Sequence, residues 1–179
     1  HRGEEIQVLE AHRRVLVRRP DALLILAPRH PERAGEVAAL CTRAGFAACL
    51  YSGLQCLDAD HQVVIVDTLG ELAVLYGVCC LAFVGGSLVD CGGHNPLEAL
   101  LAGAPVVSGP QVENFRQVYQ ALFEQGGATR VETAADLAAT VIDWLDDEAQ
   151  RSSVVAAGRR VIERQRGAVE ATIELLDAA

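Results

Sequence analysis

Cys79-Cys80-Leu81-Ala82-Phe83-Val84-Gly85-Gly86-Ser87, followed by Asp90-Cys91-Gly92-Gly93-His94-Asn95-Pro96-Leu97-Glu98, is the stretch on which the fold turns. The run from Cys79 to Val84 is apolar without alternation, the pattern of a strand covered on both faces. Two glycine pairs then make a loop, and Asn95 as N-cap, Pro96 at N1 and Glu98 at N3 specify a helix start. A buried strand, a glycine loop and a helix in that order form one βα unit of a parallel sheet, with the loop at the carboxyl edge.

Outward from this unit the same alternation repeats. Leu23 to Leu26 reads as the first strand, after a helix over Glu4 to Arg19. A helix follows in which Val37, Leu40, Cys41 and Ala44 share one face, and Gly45 stops it. Phe46 to Tyr51, Val63 to Val66, Pro105 to Val107 and a short run at Ala128 to Val131 complete the strands. In the last third, Thr133 is an N-cap with Asp136 at N3, and Leu137, Val141 and Trp144 lie on one helical face. Two further helices are expected, over Arg151 to Arg164 and Ala168 to Leu176. The expectation is an α/β fold: one Rossmann-like, doubly wound domain over residues 1–179, with a parallel sheet of about six strands and C-terminal helices packing back.

Composition narrows the chemistry. The 179 residues carry 15 basic and 24 acidic side chains, a net charge of −9, which argues against a general nucleic-acid or anionic-membrane surface. Every basic residue is Arg, so Schiff-base lysine chemistry and a P-loop lysine are excluded. Methionine is absent and the chain begins His1-Arg2-Gly3, from which a piece of a longer protein is expected. Six cysteines (Cys41, Cys49, Cys56, Cys79, Cys80 and Cys91) contain no C-x-x-C and read as buried free thiols of a reducing compartment. No apolar run approaches the ~20 residues of a membrane span, and no signal peptide is visible.

Four loops fall at strand ends on the carboxyl edge, where open α/β sheets hold ligands. The glycine pairs, as Gly85, Gly86, Ser87, Gly92 and Gly93, permit close backbone approach. Asn95 and Glu98 are readable either as helix caps or as ligand contacts, and the residues alone leave both open. In Pro28-Arg29-His30-Pro31-Glu32-Arg33, two prolines restrain a loop that presents a guanidinium to a phosphate or carboxylate, although such loops are more commonly solvated turns. Thr68-Leu69-Gly70-Glu71 follows Asp67, which also reads as a helix cap. Gly109-Pro110 and Glu113-Asn114-Phe115 form the fourth loop.

Other features read as structural. Asp58-Ala59-Asp60-His61 has the D-x-D form but precedes a strand, which puts it on the opposite edge as a surface turn. His12, His61 and His94 lack zinc-ligand spacing. Ser87 and Ser108 have no G-x-S-x-G context and no assignable His and Asp partners. Arg13-Arg14 and Arg159-Arg160, with Arg164 and Arg166, read as solvated helix faces.

Three segments in order, Leu24 to Arg33, Asp67 to Leu72, and Phe83 through Glu98, closely resemble the C-terminal half of the 3-deoxy-D-manno-octulosonic acid (Kdo) transferase family. The likeness runs in register over almost the whole chain, and His1-Arg2-Gly3-Glu4-Glu5 stands where that family has Thr-His-x-Gly-Glu-Glu. The departures, at Ala27, Asp90 and Cys91, are small. The resemblance implies one half of a GT-B glycosyltransferase, whose C-terminal Rossmann-like domain holds the sugar nucleotide. It implies CMP-Kdo as donor and the lipid A precursor lipid IVA as acceptor, in lipopolysaccharide synthesis at the cytoplasmic face of the Gram-negative inner membrane. Carried over by motif, Pro28 and Arg29 meet CMP, with Arg29 at its phosphate. Leu69, Gly70 and Glu71 line the pocket, and Asn95, Pro96, Leu97 and Glu98 complete it, Glu98 at the ribose and the helix start facing the phosphate. His30, Gly85, Gly86, Ser87, Gly92 and Gly93 are additional candidates.

The implied reaction is an inverting transfer with no cofactor and no metal, since CMP carries one phosphate. Its carboxylate base and its membrane contact are implied to lie in an N-terminal domain outside this sequence, so binding without catalysis is expected here. Two alternatives stand beside this reading: a domain of a GT-B enzyme that uses a UDP-sugar, resembling a 2-epimerase, and a noncatalytic nucleotide-binding or interaction module.

Overall fold

The computed structural model describes residues 1–53, 58 and 60–177. Its elements run α1 (Glu4–Arg18), β1 (Leu24–Leu26), α2 (Ala34–Arg43), β2 (Ala48–Leu50), β3 (Val63–Ile65), α3 (Leu72–Val78) and β4 (Ala82–Val84). Then come α4 (Leu97–Ala102), β5 (Val106–Ser108), α5 (Arg116–Glu124), β6 (Ala128–Arg130), α6 (Ala134–Asp146) and α7 (Glu148–Asp177). The order is the strand and helix alternation that the apolar runs announce.

All the strand pairs are parallel, and they form two three-stranded ladders, β1-β3-β2 and β4-β5-β6. The middle strands β3 and β5 are buried at every residue, as continuous apolar runs require. Successive residues of β5 leave its two faces. Val106 packs with Leu100 of α4, Leu122 of α5 and Val161 of α7, whereas Val107 packs with Ala11 and Val15 of α1 and Leu137 and Trp144 of α6. The other ladder contributes Leu26, Val63 and Ile65 to a third cluster, with Val37 and Cys41 of α2 and Leu9 of α1.

Local signals account for most boundaries. Gly45 takes φ +83° just after α2, the left-handed step that ends a helix. The hydroxyl of Thr133 accepts from the Asp136 amide while the Asp136 carboxylate accepts from the Thr133 amide, a complete capping box on α6. Other expectations are corrected. The strand expected over Cys79 to Val84 is only Ala82–Val84, because Cys79 closes α3, its amide donating to the Leu75 carbonyl at 3.1 Å. The two expected C-terminal helices are one, α7, which passes Gly167 without a break; one glycine inside a helix costs only about 1 kcal/mol.

The cysteines differ from the expectation of burial. Cys41 is buried, Cys49 and Cys79 are half-buried, and Cys80 and Cys91 are exposed; all five are free thiols. Cys56 lies outside the described residues, as does Ala59 of the expected surface turn, which is closed by the amide of His61 donating to the Asp58 carbonyl at 3.1 Å. Arg13 is more than a solvated charge, since its guanidinium stacks 4.8 Å from the Phe46 ring centre and donates to the Ala44 carbonyl. Among the described residues, no helix is long and apolar enough to cross a membrane.

Candidate functional site

Because the strands are parallel, the segments after β1, β2 and β3 gather at the carboxyl edge of one ladder, and those after β4 and β5 at that edge of the other. The segment after β4 folds back on itself. The amides of Gly93 and His94 donate to the carbonyls of Gly86 and Gly85 at 2.8 and 3.1 Å. It is also joined to the segment after β5: Gln111 and Asn114 amides donate to Ser87 and Gly92 carbonyls at 3.0 and 2.9 Å, and the Asn114 side chain donates to the carbonyls of Cys91 and Gly93.

These contacts explain the second glycine pair. Gly92 and Gly93 adopt φ +75° and +73°, and a Cβ on Gly93 would lie 2.8 Å from the Gln111 carbonyl oxygen. The close approach these residues permit is that of the neighbouring loop. The first pair has a different neighbour, Glu4 at the start of α1. Its carboxylate accepts from the amides of Gly86 at 2.7 Å, Ser87 at 2.9 Å and Leu88 at 3.0 Å, so these amides already hold an anion. The Ser87 hydroxyl is fully buried, donating to the Val84 carbonyl and accepting from the Gly109 amide, both at 2.8 Å, and is a brace between loops.

Past the glycines the segment presents polar groups. His94 is half-buried, with its carbonyl accepting from the Tyr119 hydroxyl at 3.0 Å. Its Nε2 lies 2.8 Å from Nε2 of His1, so one of the two nitrogens carries the shared proton. Burial lowers the His94 pKa, and the positive charge of Arg29 lowers it further. The charge of Arg29, after β1, is thus felt at His94, after β4. Arg29 itself is exposed and makes no hydrogen bond or ion pair among the described residues. Pro28 beside it is buried, His30 is exposed 3.6 Å from the Glu32 carboxylate, and Arg33 anchors the segment through Glu5 at 2.8 Å.

The two readings of Asn95 and Glu98 divide between them. Asn95 Oδ1 accepts from the Leu97 amide at 3.0 Å, but α4 begins at Leu97 with Pro96 as its N-cap, so the expected frame of Asn95 as N-cap, Pro96 at N1 and Glu98 at N3 is shifted by one residue. Glu98 closes no capping box; its carboxylate is exposed, and with burial it pushes the Tyr76 phenol up to about 12. Pro96 is fully buried, Leu97 half-buried and Glu98 exposed. At the remaining segment, Leu69 is 82% exposed, Gly70 turns at φ +89° and Glu71 is half-buried immediately before α3. The Thr68 hydroxyl there is buried without a hydrogen-bond partner among the described residues.

Three contributors stand outside the residues selected from the sequence: Glu4, His94 and Tyr76. For Glu4 the available signal was its place in the His1 to Glu5 segment, which carries a recognisable pattern but no hint of what the carboxylate meets.

No protein-family model matches the chain. Among curated proteins, it is similar to the 3-deoxy-D-manno-octulosonic acid transferase of Haemophilus influenzae, 38% identical over 177 residues that cover 98% of this chain and 42% of that protein. The Bordetella pertussis protein of the same name is 36% identical over 179 residues, covering 97% and 40%. The chain therefore spans about two fifths of the length of these relatives. Among solved structures, it is similar to the C-terminal CMP-Kdo binding domain of WaaA from Acinetobacter baumannii. The TM-score is 0.85 at 31% identity, over 90% of this chain and 84% of that one.

Proposed function

The chain belongs to the 3-deoxy-D-manno-octulosonic acid transferase family, and on that premise we propose that it is the single C-terminal, donor-binding domain of such an enzyme and takes CMP-Kdo. The observation that carries this reading is the likeness, over 90% of the chain, to a domain solved as a CMP-Kdo binding domain. The site chemistry agrees with it. An exposed guanidinium with no hydrogen bond or ion pair among the described residues suits one phosphate, and Arg29 offers this just after β1. Glu98, exposed in the first turn of α4 and not used in a cap, is the acceptor for ribose hydroxyls in this reading. Pro28, Leu69, Gly70, Glu71, Asn95, Pro96 and Leu97 form the surrounding wall in this reading.

The reaction follows from the donor. CMP leaves with its one phosphate, whose charge Arg29 offsets, while a carboxylate base removes the proton of the attacking acceptor hydroxyl on the opposite face of the sugar. Base, lipid IVA acceptor and membrane contact are assigned to the part of the relatives' length that this chain does not span. The fragment then binds donor and transfers nothing by itself.

Calorimetric titration of the chain with CMP, UDP and GDP tests the assignment. Selective binding of CMP is expected. Binding of UDP without CMP would transfer the reading to a UDP-sugar enzyme, and binding of none would leave an interaction module.

A further inference from the structure

Gly86, Ser87 and Leu88 point three successive amides at one place, with Gly86 at φ +72°. Consecutive amides converging in this way form an anion-binding nest. Glu4 fills it from a distant part of the chain, with only 3% of its surface exposed. The fit is close, since a Cβ on Gly85 would lie 2.8 Å from Glu4 Oε2. Beyond the nest the segment is closed by the Gly93 and His94 amides on the carbonyls of Gly86 and Gly85, which ties the nest to His94 and the start of α4.

We infer that Glu4 is a positioning residue of the donor site: by filling the amide nest with a carboxylate of the chain's own, it holds the segment from Gly85 to His94 in the shape that presents His94 and Asn95 between β4 and α4. A plain structural carboxylate would satisfy the same three amides, but it need not govern the far end of the segment. Here the two are linked through backbone hydrogen bonds at adjoining residues, with no flexible linker between them. The nest is closed to the donor, which leaves the phosphate to Arg29. This inference rests on the donor-binding reading for its affinity test and stands apart from it in its spectroscopic test.

The experiment compares the wild-type chain with E4Q and E4A below their melting midpoints. Gln matches the shape of Glu yet sets an amide donor against a backbone donor, so the nest is misfilled. CMP affinity, by calorimetry, is expected to fall about tenfold in folded E4Q, the scale on which supporting groups act at binding sites. The ring resonances of His94 are expected to move in the same sample. In E4A, formate is expected to restore CMP affinity and the His94 resonances, and chloride at equal ionic strength to restore neither. Unchanged affinity and unmoved His94 resonances in a destabilised E4Q would overturn the inference. If E4Q does not fold, E4A with and without formate decides it. If the wild-type chain binds no CMP, the donor reading falls, and the response of His94 to E4Q and formate still decides whether Glu4 positions the segment.

Discussion

Ser52 donates to both carboxylate oxygens of Asp67, from its amide at 2.9 Å to one and from its hydroxyl to the other. This bond pair joins the end of β2 to the segment after β3 and so holds Thr68 to Glu71 against the sheet edge. The same donors lower the Asp67 pKa, the hydroxyl contributing most. A carboxyl with a lowered folded pKa stabilises above its unfolded value, about 3.9, and that stabilisation is lost as pH falls through the folded value. D67A is therefore expected to lose stability at neutral pH and to show a shallower acid decline than wild type. Urea midpoints measured across the acid range check this, and CMP titration of D67A is expected to show weakened binding through the loosened segment.

Arg29 gives the most direct test of the phosphate contact. R29A is expected to weaken CMP binding by about 1.5–3 kcal/mol, the range for a hydrogen bond to a charged group. Its melting midpoint should stay near wild type, because the guanidinium has no partner among the described residues to lose. An unchanged calorimetric affinity removes Arg29 from the site.

Gly93 and Gly45 separate backbone strain from crowding. Both have positive φ, +73° and +83°, but a Cβ on Gly93 meets the segment after β5 while one on Gly45 meets nothing within 4 Å. G45A is expected to cost about 1–2 kcal/mol, the left-handed penalty alone. G93A is expected to cost about 2–4 kcal/mol, since crowding adds to it. Chemical denaturation of the pair measures the difference, and equal costs would show that the two loops separate easily.

His12 supplies a pH dependence near neutrality. Its Nε2 donates to the Gln62 carbonyl at 3.0 Å, its ring lies 5.6 Å from that of Phe46, and burial lowers its pKa. The native state therefore holds this imidazole neutral where the unfolded chain protonates it. Stability is full above about pH 6.5 and falls as the pH drops from there through the folded value. His94, also lowered, acts in the same direction. Urea midpoints for wild type and H12Q between neutral and mildly acidic pH should diverge less as pH falls, with H12Q the flatter curve.

The strands and α6 were legible in the residues because their signals are local: an apolar run, a glycine at a helix end, Thr133 three residues before Asp136. What the sequence withheld depends on partners far along the chain. Gly92 and Gly93 announce that something comes close, but the identity of that neighbour, the Gln111 to Asn114 segment, is a tertiary fact. Glu4 meets Gly86 across 82 residues, and no spacing rule reaches that far. Likewise, Asn95 and Glu98 look like one capping device, and only the position of α4 shows that Pro96 is the N-cap, with Asn95 bonding the Leu97 amide and Glu98 taking no part in the cap. Gly167 invites a helix break that the continuous helix does not make.

The first helix also carries a consequence for the order in which the protein is made. Leu9 of α1 packs into the cluster of the first ladder, whereas Ala11 and Val15 pack into that of the second, against Leu137 and Trp144. During synthesis the first of these surfaces finds its place once Val63 to Ile65 have emerged. The second meets Val107 of β5 first and lacks its α6 neighbours until that helix follows, some seventy residues after β3. A ribosome-bound chain ending before Ala134 thus leaves open the part of α1 that Leu137 and Trp144 cover in the finished protein, the kind of apolar surface that chaperones recognise.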